Sequence, residues 1–270
     1  EEIMTPKAFS NAFRVLLAVG GSTNALIHMT AIAGRRGIKV DLEAFDRMGR
    51  ETPVLVDLKP SGSNYMEDLY KAGGLGPILR ELQPLLHLDC KTVSGRTLGE
   101  EVEQAPLWEQ DIVKSIRAPL KSEGGIAVLT GNLAPETAII KQSAATPELL
   151  VHEGRAVVFE SLEDLADRID HPDLEVEKDD ILILRNAGPR GGPGMPESGY
   201  IPIPKKFNPH EVAFTVRTPQ QGIANPHDPL GSLGVRHLHH PCVPPVPLDH
   251  VALHDRRGFL RTFLKAEVPL

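Results

Sequence analysis

Apolar positions recur at helical spacing through the first part of the chain and change to short continuous runs further on. Residues 6–19 carry Phe9, Phe13, Leu16 and Leu17 behind Thr5-Pro6. That spacing predicts an amphipathic helix with its proline in the first turn, where a missing N–H costs nothing. Gly20-Gly21 ends this helix, and Ser22 or Thr23 caps a second one over 25–33. The second helix is apolar on nearly every side, so burial is expected, with His28 packed within it. Asp41 caps a third helix over 42–48. Residues 52–56 then read as a short strand, 59–62 as a turn, and 66–72 as a helix that stops at Gly73-Gly74.

Beyond about residue 121 the pattern turns to strands. The runs 126–129, 137–140, 156–159 and 181–184 are β-like and separated by turns. One clear helix interrupts them, over 162–169, with Ser161 and Asp164 placed as a capping pair. The expected fold is therefore α/β in residues 1–121, followed by a β-rich domain over 122–206. Residues 207–270 are read as a divergent, disordered His/Pro-rich tail. Seven histidines fall between His210 and His254, prolines are dense, and no helical or alternating period survives. His237, His239, His240 and Cys242 are potential metal donors there, but their spacing does not match zinc sites.

Composition narrows the possible functions. The 270 residues are 41% hydrophobic and 24% charged, as in a soluble globular protein. A net charge of −7 gives no basis for nucleic acid or an anionic membrane as partner. No run approaches the roughly eighteen apolar residues of a membrane helix. Two cysteines, Cys90 and Cys242, cannot make a disulfide framework, so a reducing, cytoplasmic setting is expected. The opening Glu1-Glu2-Ile3, without an initiator Met, reads as a fragment of a longer protein.

Two stretches carry candidate chemistry. After the strand-like run 181–184, seven of the nine residues from Gly188 to Pro196 are Gly or Pro, and the stretch ends on Glu197. Such an arm approaches a ligand closely, and a lone carboxylate at its end suits a hard cation such as Mg²⁺. A surface loop with a solvated glutamate has the same composition. The second stretch is Gly20-Gly21-Ser22-Thr23-Asn24, a glycine-rich turn opening a helix. Its backbone N–H groups and hydroxyls favour an anion such as a substrate carboxylate, although a simple helix cap would look alike. No Lys stands where a Walker loop needs one.

Five segments then occur in one order: 20–25, Asp57-Leu58-Lys59-Pro60-Ser61-Gly62, Ala72-Gly73-Gly74, Thr130-Gly131-Asn132-Leu133-Ala134-Pro135, and 188–197. Together they resemble the dihydroxy-acid and sugar-acid dehydratase family. Residues 151–160 and 201–206 look most like its pentonate (arabinonate-type) branch. The resemblance implies the end of a cluster-bearing α/β domain followed by a barrel-like β-rich domain. It also implies a hydro-lyase that removes water from a 2,3-dihydroxy acid to give a 2-keto-3-deoxy acid, with a small sugar acid as partner and a homo-oligomer at full length. The branched-chain dihydroxy-acid enzyme is the alternative substrate class, with a mitochondrial location if eukaryotic. Mg²⁺ and a [2Fe-2S] cluster are the implied cofactors, with Glu197 aligned to a Mg²⁺ ligand and Ser22, Thr23 and Asn24 beside the substrate. The family's cluster cysteines come from a segment before the Gly-Gly-Ser-Thr-Asn turn, and only 19 residues precede Gly20. Cys90 has no neighbouring thiol. The stretch that would carry the catalytic serine after Lys205-Lys206 is replaced by the His/Pro tract. No catalytic residue is therefore assigned, and the expected chain is either an enzyme piece inactive alone or a non-catalytic remnant that associates with intact subunits.

Overall fold

The computed structural model describes residues 2–59, 61–106, 109–131, 137–145, 147–185, 201–207, 214–217, 251–254 and 261–265. Its chain forms two compact units, one of residues 1–128 and 139–144, the other of 129–138 and 145–270. Each is described by itself.

The first unit is helical. Helix α1 (Pro6–Ala18) starts where Thr5 accepts from the Ala8 N–H with Pro6 in the first turn, and it buries Phe13, Leu16, Leu17 and Ala18. Helix α2 (Thr23–Arg35) follows, then α3 (Leu42–Glu51), capped by Asp41 accepting from the Glu43 N–H. The Phe13 and Phe45 rings meet edge to face at 5.5 Å, which joins α1 to α3. Helices α4 (Met66–Lys71), α5 (Leu75–Glu81) and α6 (Leu98–Gln104) complete the unit. Its core gathers Ala18, Leu55, Ile78 and Leu82, all fully buried.

Three expectations change here. Residues 52–56 form no strand but only isolated bridges, Val54 with Lys121 and Val56 with Val113. The reason is non-local: the Leu55 N–H donates to the Ala18 carbonyl at the end of α1, 2.8 Å away, so a helix terminus takes the place of a neighbouring strand. Helix α2 is buried on one face only, through Leu26, Ile27, Thr30 and Ala33, while Ile32 is 47% exposed and His28 faces solvent. Helix α6, absent from the sequence reading, carries a capping box in which Thr97 and Glu100 exchange hydrogen bonds.

Seven strands form a sheet among the described residues. Strands β1 (Ala127–Gly131), β2 (Ala138–Ile140), β3 (Val151–Phe159), β4 (Ile181–Leu184), β5 (Phe214–Arg217), β6 (Val251–His254) and β7 (Arg261–Lys265) run in the order β2-β1-β6-β7-β3-β4-β5. Of these, β3 to β7 lie wholly within the second unit. Strand β3 is parallel to both β4 and β7, and β6 is antiparallel to β1 and β7. Helix α7 (Leu162–Arg168), with Ser161 accepting from the Asp164 N–H, connects β3 to β4. All four residues of β4 are buried, as expected of a parallel strand covered on both faces. Phe159, Leu165, Ile169, Leu182, Leu184 and Ile201 form the core beside it. Arg155 closes the far end by reaching the buried Asp180 carboxylate at 2.8 Å.

The expected barrel-like closure is not seen among the described residues. The sheet order is open, and short strands β2 and β5 stand at its ends without pairing to each other. Three stretches within 207–270, where an irregular tail is expected, are strands β5, β6 and β7. Their backbones find ladder partners in β4, β1 and β3, which local composition does not reveal.

Candidate functional site

The glycine-rich turn at 20–24 is fixed from both sides. The Gly20 and Gly21 N–H groups donate back to Leu17 and Leu16 at 3.2 and 2.9 Å, closing the end of α1. Ser22 then starts α2 by accepting from the Asn24 N–H at 3.1 Å, so its hydroxyl is engaged as a cap. Ser22 is exposed, whereas Thr23 and Asn24 are half-buried in the first turn. Ser22→Ala is expected to lower stability by about 1 kcal/mol. Chemical denaturation of the two proteins measures it, and an unchanged midpoint would contradict the cap.

The segment beginning at Asp57 folds into a tight turn around that carboxylate. Asp57 accepts from the Ser63 N–H at 2.8 Å and from the Asn64 side chain at 3.1 Å. Gly62 has no alternative here: a Cβ on it would lie 2.0 Å from an Asp57 carboxylate oxygen and 2.7 Å from the Leu58 nitrogen. Lys59 leaves the turn sideways, donating to the Tyr65 hydroxyl at 2.6 Å with its ammonium 3.9 Å from the ring centre.

These two motif segments converge on a third element, the 3₁₀ turn Gln142–Ala144. Ser143 is buried and its hydroxyl lies 3.3 Å from that of Ser61. Its N–H donates to the Gly125 carbonyl at 3.2 Å, and its own carbonyl receives the Lys121 ammonium at 3.0 Å. Gly125 threads between this turn and Gly20, so closely that an added Cβ would sit 2.6 Å from the Gly20 Cα. Gly20 itself has φ +60°, which a side chain disfavours. Lys141, the residue before the turn, is half-buried and its ammonium is made less basic by that burial.

Ser22, Thr23 and Asn24 open α2, and Gly20, two residues before Ser22, is the residue of this turn that lies against Gly125 and Ser143. Glu197, the proposed Mg²⁺ ligand, lies outside the described residues, as do Asn132 to Pro135 and the whole Gly/Pro arm. Thr130 and Gly131 end β1. Sequence reasoning missed the Ser61–Ser143 contact, which joins positions 82 residues apart without any shared pattern. The Gly124-Gly125 pair was the available signal for a close backbone approach.

Hollows in the second unit do not compete for this role. One, of about 390 Å³, is lined by Arg155, Arg168 and His171, but Arg155 already pairs with Asp180 and Arg168 with Asp164. None of the five ordered segments lines it.

Neither implied cofactor fits the described residues. Among them no group of three His, Cys, Asp or Glu side chains is placed to hold a metal. Cys90 is the free cysteine described there, and burial first, then the charge of Asp89, pushes its thiol upward, away from the thiolate that iron requires. No helix among the described residues is long and apolar enough to cross a membrane.

Comparison with known proteins gives the kinship. Residues 1–101 match the dihydroxy-acid/6-phosphogluconate dehydratase N-terminal model, and 111–218 match the corresponding C-terminal model. An L-arabinonate dehydratase of Rhizobium leguminosarum is 49% identical over 207 residues, covering 76% of this chain and 36% of the relative. A 6-deoxy-6-sulfo-D-gluconate dehydratase of Pseudomonas putida is 46% identical, with the same 76% and 36% coverage. A dihydroxy-acid dehydratase of Acetivibrio thermocellus is 43% identical over 198 residues, covering 73% of this chain and 35% of the relative. The chain therefore spans a little over a third of the length of these relatives. Two consecutive domain models in one order, together with these identities, place the chain in the dihydroxy-acid/6-phosphogluconate dehydratase family.

Proposed function

We propose that this chain is a piece of a sugar-acid hydro-lyase. The complete protein would take a 2,3-dihydroxy carboxylic acid such as a pentonate, remove the proton on C2 and the hydroxyl on C3 as water, and release the enol as a 2-keto-3-deoxy acid. The observation that carries the reading is the convergence of the turn at 20–24 with Ser61, Gly125 and Ser143. It gathers hydroxyls and helix-start N–H groups where an acid head can be held. Thr23 and Asn24, half-buried in the first turn of α2, are assigned to that head, and Glu197 to Mg²⁺. Because the described residues do not fit the cluster or the metal, no step is routed through either, and this chain's own part is to bind and orient the acid.

The sugar acid is preferred to the branched-chain acid because the arabinonate relative is 49% identical and the dihydroxy-acid relative 43%. A second reading, a non-catalytic remnant that associates with intact subunits, is favoured by the single described thiol.

Titrating arabinonate into the labelled chain tests the site. The amide resonances of Ser22, Thr23 and Asn24 are expected to shift, and those with arabitol, which lacks the carboxylate, are not. No keto acid is expected from the chain alone. Unmoved amides at 22–24 would sink the substrate assignment, while stoichiometric iron and sulfide accompanied by turnover would replace the remnant reading with a working enzyme.

A further inference from the structure

We propose that α4 and the start of α5 form a face through which two copies of this chain pair, antiparallel about a two-fold axis. The inference stands apart from the substrate assignment and uses only residues of the first unit.

Local hydrogen bonds fix this face before any partner arrives. The Tyr65 N–H donates to the Asp68 carboxylate at 2.8 Å, which starts α4. At the other end Gly73 (φ +102°) and Gly74 (φ +64°) return their N–H groups to the Tyr70 and Leu69 carbonyls at 3.1 and 2.9 Å. Ala72-Gly73-Gly74, one of the five ordered segments, is thus a helix stop that leads directly into Leu75 and α5. Lys59, from another of those segments, holds the Tyr65 hydroxyl at 2.6 Å.

The helical period decides which side of α4 turns outward. Leu69 and Ala72 are buried, Leu69 in the cluster with Leu55 and Ile78. At about 100° per residue, Met66, Glu67, Tyr70 and Lys71 take the opposite half. Met66 is 69% exposed and Tyr70 81%, with Tyr65 at 61% just before the helix and Leu75 at 57% just after it. Exposed apolar side chains gathered this densely mark an interaction surface.

A second copy fits that surface in charge and in area. Glu67 and Lys71 stand one turn apart, paired at 2.8 Å and largely exposed. Laid antiparallel on its own copy, the helix sets Glu67 against the partner's Lys71 and Lys71 against the partner's Glu67, so both contacts close by symmetry. Met66 meets the partner's Tyr70 in the same way, a sulfur–aromatic contact made twice. The four apolar side chains expose on the order of 500 Å². Two faces therefore bring about 1,000 Å² together, where specific interfaces begin. Tyr65 loses little freedom on pairing, because Lys59 already holds it.

Sedimentation equilibrium of the 270-residue chain tests this. The expected result is a monomer–dimer equilibrium with Kd of about 10–100 µM. Tyr70→Ala should weaken pairing about thirtyfold and leave Tm unchanged, since the side chain is exposed. Glu67→Lys and Lys71→Glu should each weaken pairing about tenfold. An equimolar mixture of those two variants should restore dimers, because each altered face then opposes its complement. The mixture distinguishes an interface from a loss of helix stability, as the pair within α4 is broken in both variants. A chain that stays monomeric to about 200 µM overturns the inference. So do dimers indifferent to all three substitutions, or a mixture that pairs no more strongly than its components.

Discussion

Phe159→Ala is expected to cost the second unit about 3–5 kcal/mol. Phe159 is fully buried at the end of β3, opposite Leu184 in the parallel register. It shares its cluster with Leu165, Ile169, Leu182 and Ile201, drawn from α7, β4 and the segment after it. Removing the ring leaves a void between helix and sheet that neighbours on three elements cannot fill together, so the lost transfer free energy is joined by a cavity cost. The Arg168 guanidinium also lies 5.1 Å from the ring centre and would lose that face. Phe159→Leu keeps most of the volume and should cost less than about 1.5 kcal/mol. Urea unfolding followed by a signal from the second unit separates the two variants, and equal midpoints for alanine and leucine would show that the ring does not hold helix to sheet.

Gly125→Ala is the second large effect, at about 1–3 kcal/mol, and it bears on function. The added methyl would meet the Gly20 Cα at 2.6 Å, the Ser143 hydroxyl at 2.9 Å and the Gly20 carbonyl carbon at 3.3 Å. A side chain could rotate away, but two of these three atoms are backbone, so the chain itself must separate. The Gly125 N–H to Leu17 carbonyl bond of 3.2 Å and the Ser143 to Gly125 bond would stretch with it. Because the displaced atoms belong to the turn that starts α2, the variant should weaken arabinonate binding as well as lower Tm. A variant as stable as the parent, with unchanged amide resonances at 20–24, would mean that the close approach is not maintained in solution.

How much of this could be read from sequence depends on how far each signal reaches along the chain. Pro6 behind Thr5, Asp41 before Leu42 and Ser161 three residues before Asp164 marked the starts of α1, α3 and α7, because a cap joins a side chain to backbone within a few residues. The run Ile181 to Leu184 marked a strand for a similarly local reason, and the structure adds that all four of its residues are buried. The Thr97 and Glu100 signature was equally legible and passed over. Residues 52–56 have strand composition, yet their N–H groups meet the end of a helix, and no property of the segment itself encodes that. Strands β5 to β7 are the reverse case, irregular in pattern but ordered by partners far along the chain.

For the site, the sequence by itself determined the inventory: a glycine turn opening a capped helix and a turn over 59–62 within the segment that begins at Asp57. It determined these because turns and caps are satisfied locally. Only the tertiary structure decided that Ser61 touches Ser143 and that Gly125 lies against Gly20. Those contacts join segments many tens of residues apart, and they are fixed by how α1, α2 and the bridges near Val54 pack, which no single stretch of sequence contains.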